Sequence, residues 1–111
     1  MTEERIMIAG NTIEVNGKQF DLDFPVQDAF REGDRIIVLF DPDAGAGSFR
    51  NLVCLDLCGR RRWEAELPEP GRQDVYYRIS SRRPLVVNSF SSYKVELDPD
   101  TGTILSKEFV K

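Results

Sequence analysis

Apolar and polar residues alternate along much of this chain, and no stretch keeps the spacing of an amphipathic helix, so the pattern predicts strands. Between Asn51 and Leu67, Val53, Leu55 and Leu57 fall on one face and Leu52, Cys54 and Asp56 on the other, giving an arm that is largely apolar on both sides. The returning arm is one-sided: Trp63, Ala65 and Leu67 share a face opposite Arg62, Glu64 and Glu66, and Gly59 supplies the reversal. Thr12 to Leu22 predicts a two-residue hairpin, because Asn16-Gly17 tolerates the positive φ values of a type I′ turn. Pairing Val15 with Lys18 sets Ile13 opposite Phe20 and leaves Glu14, Gln19 and Asp21 on the wet face. Arg5 to Ala9 is expected to add a short strand ahead of it.

Arg35 to Phe40, RIIVLF, is a continuous apolar run with β-branched residues and predicts a central strand beside Asn51 to Leu57. Asp74 to Ser80 puts Val75, Tyr77 and Ile79 on one face, opposite Tyr76 and Arg78. Leu85 to Phe90, Tyr93 to Leu97 and Ile104 to Val110 complete the set, with Ser91-Ser92 as a tight join. Phe24 to Asp34 departs from the alternation: Pro25 restricts the backbone, Asp28 is placed to cap and Gly33 to stop, so one short helical turn near residues 27–32 is expected. The segments DPDAGAGSFR at 41–50 and Pro68-Glu69-Pro70-Gly71 read as connectors. The prediction is a single all-β domain over residues 1–111, with about eight short strands in antiparallel sheets built from consecutive hairpins. A twisted sheet or two packed sheets are favoured over a closed barrel.

The Asn51 to Leu67 hairpin has a fainter copy at Tyr93 to Val110, where Leu97, Asp98 and Gly102 answer to Leu55, Asp56 and Gly59. A strand ending in Leu-Asp, a turn ending in Gly and a Trp opening the next strand (Leu55, Asp56, Gly59, Trp63) resemble the repeat of PQQ-type β-propeller blades. The second copy has Leu97, Asp98, Thr101 and Gly102, with Ser106 where the Trp would fall. The resemblance implies propeller-blade-like sheets. Since propellers close with about four to eight four-stranded blades, it implies an incomplete set here, and it carries no cofactor or propeller activity to this chain.

The 111 residues, 41% hydrophobic and 31% charged, have the makeup of an ordinary globule with a net charge of −4. Met1 to Asp43 carries ten acids against four bases, Ala44 to Arg83 five against eight, and Pro84 to Lys111 four against three. An acidic first third beside an arginine-bearing middle is either complementary within the fold or an acidic surface for a basic partner. Met1 to Gly10 lacks a secretory pattern and no run approaches membrane-spanning length, so no membrane contact and a cytoplasmic location are expected.

The chain contains no His, which excludes Ser-His-Asp and Cys-His catalysis within it. Cys54 and Cys58 are the only cysteines, too few for a zinc site and not at a redox spacing, so free thiols and no metal are expected. Asp98-Pro99-Asp100-Thr101 resembles the nucleophile motif of haloacid-dehalogenase phosphatases, but no alternating helix and strand pattern accompanies it, so a turn with local side-chain bonds is expected. That stretch and Asp41-Pro42-Asp43-Ala44-Gly45 also lack the later acidic ligand of a calcium loop. Arg60 to Arg62, Arg82 and Arg83, with Tyr76, Tyr77 and Trp63, are the residues that would stack and clamp single-stranded nucleic acid. The acidic balance speaks against that partner.

The leading expectation is therefore a non-catalytic protein-binding module without cofactor, one form being an acidic immunity protein that masks a basic toxin. Glu14, Asp21, Asp23, Asp28, Glu32 and Asp34 are the expected steering acids, with Phe24 or Phe30 as the apolar anchor. The alternatives are a structural or self-assembling blade-like subunit, pairing through open sheet edges, and a small enzyme using carboxylates.

Overall fold

The computed structural model describes residues 6–45, 49–69 and 74–110. Arg5, the centre of the 41–50 connector and the Pro70-Gly71 end of the other connector lie outside the described residues. Eleven strands follow one another: β1 Ile6–Ala9, β2 Thr12–Val15, β3 Lys18–Asp21, β4 Val26–Glu32, β5 Arg35–Phe40, β6 Leu52–Leu55, β7 Arg61–Glu64, β8 Tyr76–Ser81, β9 Leu85–Ser89, β10 Tyr93–Leu97 and β11 Ile104–Phe109. They form three open antiparallel sheets, each an up-and-down meander: β1-β2-β3, β4-β5-β6-β7 and β8-β9-β10-β11. Among the described residues there is no helix, and so none long and apolar enough to cross a membrane.

The second sheet lies between the other two because both of its faces are apolar. Ile36, Val38, Phe40, Val53 and Leu55 join Ile13 and Val15 of the first sheet in one core. The intervening residues Ile37, Leu39, Leu52 and Cys54 join Tyr76, Leu85, Val87, Val95 and Leu97 of the third sheet in another. The continuous apolar runs of β5 and β6 are thus the signature of a layer with no wet side. The first hairpin has the predicted register, with Val15 opposite Lys18 and Ile13 opposite Phe20, and Asn16 and Gly17 take φ values of 52° and 80°.

Two expectations are corrected. The expected helical turn at 27–32 is strand β4, and eleven strands replace about eight. A β-bulge between Val26 and Asp28 explains the broken alternation, since an extra residue shifts the side-chain period and looks non-extended in sequence. Asp28 does not cap a helix; its Oδ1 accepts the Ala29 N–H at 2.9 Å inside the bulge. Gly33, at φ 61°, closes the β4–β5 turn.

The two similar hairpins occupy the same place in successive sheets, β6–β7 ending the second and β10–β11 the third. Their turn glycines meet the preceding sheet in the same way. A Cβ on Gly59 would lie 2.7 Å from Cδ1 of Phe20 on β3, and one on Gly102 would lie 2.7 Å from Cδ2 of Trp63 on β7. Gly17, in the first sheet, has no earlier sheet against it, and a Cβ there would meet nothing. Trp63 is also held by its indole N–H, which donates to the Pro99 carbonyl at 3.0 Å. Ser106, opposite Glu96, stands at the matching point of β11, and the outward face around it carries Lys94, Glu96 and Glu108 along a shallow groove of about 340 Å³.

Asn51 ties the second sheet to the third. It is fully buried; its Nδ2 donates to the carbonyls of Phe40 (3.1 Å) and Tyr76 (2.6 Å), and its Oδ1 accepts the Tyr76 N–H (2.9 Å). One side-chain amide thereby takes the place of a neighbouring strand at the edge of β8.

Candidate interaction surface

Several of the residues expected to form a steering surface are engaged within the fold. Phe30 is only 5% exposed and lies in the core between the second and third sheets, under the Arg82 guanidinium at 4.9 Å. Phe24 is half-buried and packs edge-on against Phe40 and Phe49. Both rings are committed to the fold, so neither is a free anchor. Asp23 pairs with Arg61 (3.4 Å), Asp34 with Arg62 (3.0 Å) and Glu32 with Arg83 (3.1 Å). The acid-rich first third and the arginine-rich middle are therefore complementary within the molecule. Asp21 accepts from the Thr12 hydroxyl, and Glu14 stands exposed on the outer face of the first sheet.

The Arg62 guanidinium, through its hydrogen bond and then its charge, holds the Asp34 carboxyl below the usual aspartate range and is itself raised by the same bond. Asp56 is also lowered, by the Arg60 and Cys58 backbone amides that donate to its Oδ1 at 2.9 and 2.8 Å. Asp98 repeats this arrangement, accepting from the Asp100 amide at 2.8 Å, while Asp100 pairs with Arg35. The Asp98 to Thr103 stretch is accordingly a locally bonded turn.

A different feature is left open. Tyr77 and Phe90 stack with ring centroids 5.2 Å apart and planes 17° from parallel, and they are 39% and 59% exposed. The Tyr76, Tyr77 and Arg78 region of β8 carries a bulge, which turns Tyr76 into the core and Tyr77 out, exchanging the two tyrosines while Val75 stays buried, Ile79 packs against the core and Arg78 is exposed. Phe90 sits on the turn between β9 and β10, and this turn is held from below. The buried Asp74 carboxylate accepts from the Ser91 amide (3.1 Å) and hydroxyl (2.7 Å), Ser91 and Ser89 share a hydroxyl contact at 2.8 Å, and Phe90 N–H donates to the Val75 carbonyl. Gln27 of β4 donates to the Tyr77 carbonyl at 2.7 Å, bringing the second sheet's edge against β8. Its neighbour Asp28 is half-buried and has no cationic partner among the described residues. The sequence singled Tyr77 out only as a stacking face for nucleic acid and did not single out Phe90, because the bulge that exposes Tyr77 has no marker in the residue pattern.

The other titratable groups have structural settings. Burial pushes the Cys54 thiol up to about 11, and it raises the Tyr76 hydroxyl, which donates to the Glu66 carbonyl. Among the described residues no three His, Cys, Asp or Glu side chains are grouped so as to hold a metal ion.

One family description, Domain of unknown function (DUF7957), matches residues 3–109, nearly the whole chain. The chain belongs to that family. No curated protein matches it.

Proposed function

We propose that this protein is a non-catalytic protein-binding module whose anchor is the Tyr77–Phe90 stack. The observation that carries the reading is the exposure of two stacked rings on a turn and a strand edge that are otherwise well fastened. Exposed aromatic residues on a rigid base suit a binding hot spot, because their large area is available without further ordering cost. The net charge of −4 favours a basic partner, and one concrete form is an acidic antidote that masks a basic toxin in the cytoplasm.

The test is copurification from the native source with the wild type and with Tyr77→Ala/Phe90→Ala, each eluate read by mass spectrometry. The reading requires a stoichiometric partner that the double variant loses. Retention of the same partner by the variant overturns the anchor.

A blade-like relationship is the finer reading of the fold. Supporting it are the meander order of each sheet and the ring-over-glycine contact repeated at Gly59 and Gly102. The self-assembling alternative, pairing through open sheet edges, is the second reading: β1 and β11 are such edges and carry the exposed Met7, Ile8, Leu105 and Phe109, while the charged outer faces with Lys94, Glu96 and Glu108 and with Glu14, Gln19 and Asp21 speak only against stacking face to face.

A further inference from the structure

We propose that β1 pairs antiparallel with β1 of a second copy of this chain about a two-fold axis, joining their two first sheets into one. This deepens the edge-pairing reading and rests on it, naming the edge, the register and the partner.

The three sheets end in β1, β3, β4, β7, β8 and β11. All but β1 are guarded by the features that keep sheet edges apart. β4, β7, β8 and β11 carry both bulges and charged residues, and β3 carries Lys18 and Asp21. β1, Ile-Met-Ile-Ala, has neither a charge nor a bulge. Beside it the first sheet is also a strand short: counted back from their last hairpins, the second and third sheets have β4 and β8 in that place, and the described residues supply none to the first.

The backbone groups on the free side of β1 follow from the pairing of β2. Leu22 N–H donates to the Asn11 carbonyl, so Asn11, Ile13 and Val15 bond to β3 while Thr12 and Glu14 bond back to Ala9 and Met7. The N–H and C=O groups of Ile6 and Ile8 therefore point away from β2, as does the Gly10 carbonyl, which accepts from Val26. A second β1 set against this edge about a two-fold places Ile6 opposite Ile8 twice and Met7 opposite Met7, each Ile6 and Ile8 pair exchanging both backbone hydrogen bonds. No charge meets any of these positions, and Met7 and Ile8, 63% and 40% exposed, are covered. Laid along β3, β7 or β11 instead, β1 would meet Lys18, Arg61 or Lys107. The strand that fits β1 best is thus its own copy.

The test is sedimentation equilibrium of the full chain from about 10 μM to about 1 mM, the range in which a small interface assembles, in about 0.15 M salt to screen repulsion between two acidic copies. A monomer–dimer equilibrium is expected. Met7→Lys sets two ammonium groups against each other across the two-fold, whereas within one chain it faces Glu14 on β2. It should weaken dimerisation roughly tenfold with unchanged circular dichroism. The register is read separately by Met7→Cys in a Cys58→Ser background, because residues opposed as a non-hydrogen-bonded pair lie close enough for a disulfide. Mild oxidation should link that variant into dimers and leave Leu105→Cys, 57% exposed on the β11 edge, unlinked. A monomer at every concentration overturns both the proposal and the edge-pairing reading. A dimer that is indifferent to Met7→Lys, that Met7→Cys fails to link, or that Leu105→Cys links equally well overturns the β1 pairing and leaves edge pairing standing.

Discussion

Replacing Gly102 with alanine tests how the sheets are joined. The residue has φ 74°, and a methyl group there pays about 1–2 kcal/mol for the left-handed backbone alone. It also drives into the Trp63 ring, whose Cδ2 would be 2.7 Å away. Forcing that contact adds about 1–3 kcal/mol of overpacking, so Gly102→Ala should destabilise the protein by about 2–5 kcal/mol. Gly17→Ala is the internal control: φ is 80°, but a Cβ would meet nothing, so only the backbone cost of about 1–2 kcal/mol applies. Urea unfolding followed by Trp63 fluorescence and circular dichroism gives both values. For a domain of this size the extra loss corresponds to roughly 4 °C of Tm per kcal/mol. In a Trp63→Leu background the Gly102→Ala penalty should shrink towards that of Gly17→Ala, the non-additivity expected of residues in contact. Equal penalties for Gly102→Ala and Gly17→Ala in the wild-type background would refute the docking argument.

Asn51→Ala should cost about 3–6 kcal/mol in the same assay, because it strands the Phe40 carbonyl and both backbone groups of Tyr76 in a buried joint. The lowered carboxyls of Asp34 and Asp56 stabilise the fold above the ordinary aspartate value of 3.8 and lose that contribution as pH falls through their folded values. The urea midpoint should therefore drop below about pH 4, less steeply in Asp56→Asn; high salt should blunt the Asp34 share, which depends on an exposed ion pair, more than the Asp56 share. Iodoacetamide at pH 8 should alkylate the exposed Cys58 in the folded protein and reach Cys54 only on unfolding, as counted by intact mass.

Hairpins with a chemical signature were legible in the sequence. Asn16-Gly17 specifies both turn and register, and the β5 and β6 runs, apolar on both faces, announce a strand pair with no wet side. The bulges were not legible. At Val26 to Asp28 an inserted residue disguised β4 as a helical turn, and at Tyr76 to Arg78 another exchanged the buried and exposed tyrosines. The candidate site inherited these misreadings. Phe24 and Phe30 looked available because their segment lacked a strand pattern, yet Phe30 is a core residue and Phe24 is half-buried against the core; Tyr77 was grouped with Val75 and Ile79, and it is a surface ring. The ion pairs were visible only as an imbalance between chain thirds, because which aspartate meets which arginine depends on how three sheets overlap.

The ring-over-glycine contact also gives the joint between sheets a direction. At both joints the earlier sheet brings a projecting aromatic and its successor supplies the hollow that only glycine leaves, so the layers cannot be reversed without parting plug from socket. Phe20 and Trp63 fill such sockets, whereas Ser106 offers a short hydroxyl at the next station. A glycine turn laid over that surface would find no ring to close upon.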